Sequence, residues 1–126
     1  MKMLVAVALG GAIGASARYG IYLLTSRAMG EGFPWGTVTV NLLGSLLLGG
    51  LVSFMALKGV VSPELRALLV VGVLGAFTTF STFSMDVVFL AERNAMGLLA
   101  GYLLLSVAGA VLAFWAGMRF VRLLLV

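Results

Sequence analysis

No cysteine and no histidine occur in this chain, and the carboxylates are only Glu31, Glu64, Asp86 and Glu92. Without cysteine there is neither a disulfide nor thiol chemistry. Without histidine the commonest general base and the commonest metal ligand are missing. An enzyme is hard to assemble from that inventory, so the chain is expected not to be one. Charge of either sign is scarce: 10% of the residues are charged, against roughly a quarter in soluble domains. Hydrophobic residues make up 63%. There is no adequate polar exterior, so a lipid bilayer must be the solvent. The eight basic residues are scattered. No face collects them, which speaks against nucleic acid as a partner and suits positive loops at a membrane surface.

The 126 residues allow a single domain. A membrane-crossing helix takes about 20 apolar residues, and four such runs lie near 3–25, 37–57, 64–91 and 96–119. The expected fold is therefore an all-α membrane protein with four transmembrane helices, without internal repeat or soluble part. Gly10 and Gly14 form a small-xxx-small pair that lets a second helix approach, and Gly97 and Gly101 repeat that spacing in the fourth run. Ser62-Pro63-Glu64 reads as an N-cap, a proline at the first helical position and an early acid. It starts the third helix after a short connection over 58–64. Four spans put both termini on one side, with Lys2, Lys58, Arg66, Arg119 and Arg122. The other side has Arg27 and Arg93, with Arg18 inside the span nearer to them. The count favours cytoplasmic termini by a modest margin.

Polar side chains within the apolar runs are the informative ones. Residues 78–84 hold five hydroxyls, interleaved with Phe80 and Phe83 and preceded by Phe77. Hydroxyls at membrane depth need partners. Either they bond back to their own helix carbonyls, or the protein meets something polar there. Gly72 and Gly75 stand just before this run, so the third helix is expected to break in mid-membrane, with 75–78 unwound. Broken membrane helices expose backbone groups that bind ions. Thr37, Asn41 and Ser45 recur every four residues and share a helix face. Asn41 suits either an interhelical clamp or a ligand. Tyr102 and Ser106 make a short polar track on the fourth helix. Arg18 either faces protein or snorkels to the surface. Asp86 either belongs to a site or reaches the interface from a helix end.

These groups are neutral donors and phenyl rings, with no basic residue in the middle of spans two to four. An anion path of that kind uses amides, hydroxyls and the electropositive edges of phenyl rings. Weak, distributed donors hold an ion strongly enough to replace its hydration and loosely enough to release it.

Three motifs give the chain a resemblance. Gly-Ala-x-x-Arg-Tyr spans Gly14 to Tyr19, Gly-Thr-x-x-Val-Asn-x-x-Gly spans Gly36 to Gly44, and Gly-x-x-Thr-Thr-Phe-Ser-Thr-Phe spans Gly75 to Phe83. In that order, over essentially the whole chain, they resemble the Fluc-type (CrcB) fluoride channel family. The resemblance implies a dual-topology dimer of antiparallel subunits in the cytoplasmic (inner) membrane, with two pathways at the interface. It implies passive, fluoride-selective conduction that lowers cytoplasmic fluoride. By position, Phe80 and Phe83 resemble the family's path-lining phenylalanines, Asn41 its pore asparagine, and Thr37 the hydroxyl one turn earlier. Tyr102 and Ser106 resemble its polar track, and Arg18 the arginine that shapes a vestibule. Asp86 falls where the family has an acid. The backbone carbonyls of Gly75 and Thr78 match those that hold a sodium ion at the dimer centre. Phe77 matches no pore position and is assigned to packing. Ala110 departs from relatives that carry a further hydroxyl there, and the uneven charge count leaves room for a heterodimer partner. The competing classes are a proton-coupled drug exporter, which needs a carboxylate deep in its pocket, and a non-transporting scaffold held by glycine faces.

Overall fold

The computed structural model describes residues 1–59 and 61–126; of the expected connection 58–64, position 60 lies outside the described residues. Helix α1 spans Lys2–Met29 and α2 spans Trp35–Lys58. The third span is composite. It runs from α3 (Pro63–Arg66) through a π-helical stretch (Ala67–Leu74) and α4 (Gly75–Phe77) to α5 (Phe80–Glu92). Helix α6 spans Met96–Leu125. All four spans are long and apolar enough to cross a membrane, and no strand occurs among the described residues.

The helices overrun the apolar runs read from the sequence. Helix α1 continues to Met29 and α6 to Leu125. Hydropathy marks what lies in hydrocarbon about 30 Å thick, whereas the 30 residues of α6 extend about 45 Å, so helix ends project past the apolar layer. Their stops are local. Gly59 adopts the left-handed conformation (φ 78°) and its N–H closes on the Met55 carbonyl, ending α2. Asn94, at φ 56°, turns the chain between α5 and α6; asparagine tolerates that region better than most side chains. Ser62 caps α3 as expected, its Oγ accepting from the Leu65 N–H at 3.2 Å.

Two helix pairs make up the chain. Helix α1 packs chiefly on the π-helical stretch and α4, and α2 packs chiefly on α6. Beyond the break the third span changes partner, because α5 lies against α6. Between lipid-facing helices there is no hydrophobic drive to associate, so close backbone approach must hold them. The glycines provide it. A Cβ on Gly10 would strike the Leu68 carbonyl and one on Gly14 the Val73 carbonyl; on the other pair, Gly49 meets Phe114 and Gly117 meets the Leu46 carbonyl. The Gly10–Gly14 pair therefore works as expected. No helix of the same chain meets the Gly97–Gly101 pair, since a Cβ on either meets nothing nearby; the close approach of α6 to α2 comes at Gly117, about four turns later. Gly117→Ala is thus expected to destabilise the protein by ~1–3 kcal/mol through overpacking, while Gly101→Ala stays near wild type. Thermal unfolding in detergent checks the contrast.

The side-chain core is small and sits toward the α1–α2 and α5–α6 connections: Val38, Leu90 and Tyr102, joined by Phe33, Leu42, Phe83 and Val87. Phe77 is buried too, its ring beside Gly44.

Candidate functional site

The interruption of the third span falls at Thr78 and Thr79, not over 75–78. Both are extended (φ −81°, ψ 161° and φ −153°, ψ 122°), whereas Gly75 is helical. β-Branched threonines favour extended backbone, and Gly72 serves the close contact with Gly10 rather than a bend. Some of the helical bonds lost at the break are replaced. The Thr79 N–H, which would close on the Gly75 carbonyl, donates to Asn41 Oδ1 at 2.8 Å. Asn41 Nδ2 donates to the Thr79 carbonyl at 2.9 Å, and only this orientation of the carboxamide serves both. The Thr82 N–H donates to Thr79 Oγ1 at 3.2 Å, so Thr79 caps α5. The Thr78 carbonyl accepts from Arg18 Nη1 at 3.3 Å. Arg18 is thus turned to the protein.

The hydroxyls divide between the two readings. Thr78 and Ser84 bond back to the Leu74 and Phe80 carbonyls at 3.0 Å each. Thr79 Oγ1 instead gathers Ser81 and Thr82 at the start of α5.

Beside the break lies a groove of about 330 Å³, lined by Asn41, Ser45, Thr79, Phe80, Phe83 and Ser106, with Thr78 and apolar Leu48, Val107 and Ala110. Phe80 is 78% exposed, with its ring centroid 5.4 Å from that of Phe83. The Ser106 hydroxyl is buried without a partner. No basic side chain lines the groove. The N-terminal end of α5, with its positive partial charge, opens there.

Thr37, Tyr102 and Asp86 form a separate centre. Asp86 Oδ2 accepts from the Thr37 hydroxyl at 2.7 Å and from the Tyr102 hydroxyl at 2.8 Å. Both hydroxyls, read from the sequence as lining one path with Asn41, are directed to this carboxylate and lie outside the groove. Tyr102 is fully buried, its ring edge-on to Phe33 at 5.6 Å and beside Phe83 at 5.4 Å. Thr37 and Asp86 border a larger cavity of about 650 Å³ that reaches Glu31, Trp35, Glu92 and Arg93 at the connections. Phe83 touches both centres, contacting Phe80 on one side and Tyr102 on the other. Tyr102→Phe keeps the ring and removes one of two hydrogen bonds to a charged group, at an expected cost of ~1.5–3 kcal/mol. A double-mutant cycle with Thr37→Val, read by thermal unfolding, is expected to be non-additive because both donors share one oxygen.

The break therefore assembles Asn41, Phe80, Phe83, Ser106, Gly75, Thr78 and Arg18, and sets Thr37, Tyr102 and Asp86 one layer away. Thr79 entered the sequence reading only as one hydroxyl of the 78–84 run, and Phe33 was not singled out. Thr79-x-x-Thr82 carried a usable signal, a hydroxyl residue placed to cap the helix that follows. Nothing local marked Phe33.

Fold and site together define a multi-pass α-helical membrane protein with a polar groove at an interrupted span. The sequence matches the family model described as "CrcB-like protein, Camphor Resistance (CrcB)" over residues 5–118. The chain belongs to the CrcB family. It is 49% identical over 125 residues to the fluoride-specific ion channel FluC of Chelativorans sp. (strain BNC1), covering 99% of this chain and 100% of the relative. Likewise-named proteins of Agrobacterium fabrum (49% over 116 residues; 92% and 93% covered) and Rhodospirillum centenum (47% over 122 residues; 97% of each) are similar.

Proposed function

We propose that this chain forms a fluoride-selective channel, not an enzyme, that lets fluoride leave the cytoplasm passively across the cytoplasmic membrane. The observation that carries the reading is the groove at Asn41, Phe80, Phe83 and Ser106. It offers neutral donors, two phenyl rings and a helix N-terminus, with no fixed cation to trap an anion. Relatives named as fluoride-specific channels, matched over 93–100% of their length, support the choice of ion. An exporter driven by protons has less support, because Asp86 already accepts from two hydroxyls. A scaffold held by glycine faces has less support, because glycine contacts do not account for Asn41 clamped on Thr79 beside an open polar groove. Cells stripped of fluoride export that produce this chain should grow at fluoride concentrations that arrest control cells. Equal arrest contradicts the reading.

The functional unit is a dimer of antiparallel copies, with the break in mid-membrane. Asn41, Ser45, Thr79 and Ser106 line a groove open to the outside of the chain, where lipid would leave polar groups unsatisfied; a second copy covers them. Arg27→Cys and Lys58→Cys, introduced singly into this cysteine-free chain, should each react with an impermeant maleimide from both sides of the membrane. Labelling from one side only contradicts dual insertion and favours a heterodimer partner of opposite bias.

A structural sodium ion at the dimer centre is held by the Gly75 and Thr78 backbone carbonyls. The donor chemistry fits. Hard oxygens suit such a cation, and the Gly75 carbonyl has lost its helical N–H partner to Asn41. No cluster of three His, Cys, Asp or Glu residues exists among the described residues; the oxygens at the break are backbone carbonyls, threonine and serine hydroxyls and the Asn41 carboxamide. When bound, the ion supplies positive charge that links the breaks of two subunits.

A further inference from the structure

Breaking a helix frees carbonyl oxygens, and at Thr78 the freed oxygen already faces a cation that the chain carries. Arg18 Nη1 donates to it at 3.3 Å. Local packing explains why Arg18 reaches that far. Gly14, without a Cβ, lets the α1 backbone lie on Val73 and Phe77. Arg18 follows one turn later on the same helix face, level with the residue after Phe77. The guanidinium has no carboxylate partner there. Asp86 is engaged by Thr37 and Tyr102, Glu64 begins α3, and Glu31 and Glu92 border the cavity at the connections. A cation within a span without an acid is costly and must be compensated by backbone oxygen.

We propose that Arg18 is a positioning residue of the break and that it contests the Thr78 carbonyl with the sodium ion, so that Arg18 sets how tightly the protein holds sodium. This rests on the sodium reading above. A carbonyl has two lone pairs and can face both cations at once. The two charges then repel across a few ångströms, which in protein surroundings is worth about tenfold or more in affinity.

The test is thermal unfolding of the purified protein in detergent, followed by Trp35 and Trp115 fluorescence. Sodium is titrated against N-methylglucamine at constant ionic strength. Wild type should be stabilised with a measurable half-maximal sodium concentration. Arg18→Gln, which keeps a donor and removes the charge, should lower that concentration about tenfold, and Arg18→Lys should stay within about threefold of wild type. On ¹⁵N-labelled wild-type protein, which needs no variant to fold, the Arg18 side-chain resonance should move along the same titration. An unchanged or raised half-maximal concentration in Arg18→Gln overturns the inference alone, as does an Arg18 resonance that ignores sodium while the protein is stabilised by it. No sodium effect in any protein overturns the sodium reading and the inference with it.

Discussion

Phe80→Ile is expected to slow fluoride conduction at least ~100-fold, a barrier increase of about 3 kcal/mol, with little change in folding stability. The asymmetry follows from where the ring lies. Phe80 is 78% exposed in the chain, so its loss removes little packing within the subunit. Its ring stands at the first position of α5 beside Phe83, on the groove. Isoleucine matches its hydrophobicity but has no quadrupole, and so no electropositive edge to offer a dehydrating anion. Fluoride efflux from liposomes, read beside a melting curve, separates the two effects. Wild-type efflux in a stable Phe80→Ile protein would show that the path runs elsewhere.

Asn41→Asp is expected to be at least as damaging to conduction, again ~100-fold or more, and to destabilise the protein by ~1–3 kcal/mol. Asn41 holds Thr79 by two bonds of opposite sense, Nδ2 to the carbonyl and Oδ1 from the N–H. A carboxylate can still accept from the N–H, but its second oxygen would face the Thr79 carbonyl across 2.9 Å. Acceptor then meets acceptor and the extended pair loses its clamp. The new negative charge also lies on a groove meant for an anion. Both consequences point the same way, and the melting curve apportions them. Asn41→Asp protein that melts like wild type and conducts fluoride at the wild-type rate contradicts the role of Asn41 in the break.

The residues that sequence reading placed well are those whose geometry is local. Asn41 and Ser45 both reach the groove because helical spacing turns number into direction, whereas Thr37, one turn earlier, is drawn to Asp86. Gly10 and Gly14 could be read as a contact because small residues at that spacing have one physical use in lipid. The break was legible as a conflict between hydroxyls and lipid, but its position was not. Glycine weakens a helix in general, which drew the unwinding to Gly75. In the fold Gly72 packs on Gly10, Gly75 stays helical, and the extended residues are Thr78 and Thr79. The distant bonds were invisible in principle. Asn41 to Thr79 spans 38 residues and Arg18 to Thr78 spans 60, and no local pattern encodes either. Tyr102 was placed on the correct helix face, yet its hydroxyl goes to Asp86, a choice made by packing of α5 on α6.

The most direct test of the account is anion release from liposomes carrying the purified protein. Vesicles are loaded with fluoride or with chloride, and the membrane potential is held near zero by a potassium ionophore. The account predicts rapid fluoride release and no chloride release above that of protein-free vesicles. Absence of fluoride release, or chloride release at an equal rate, would contradict it.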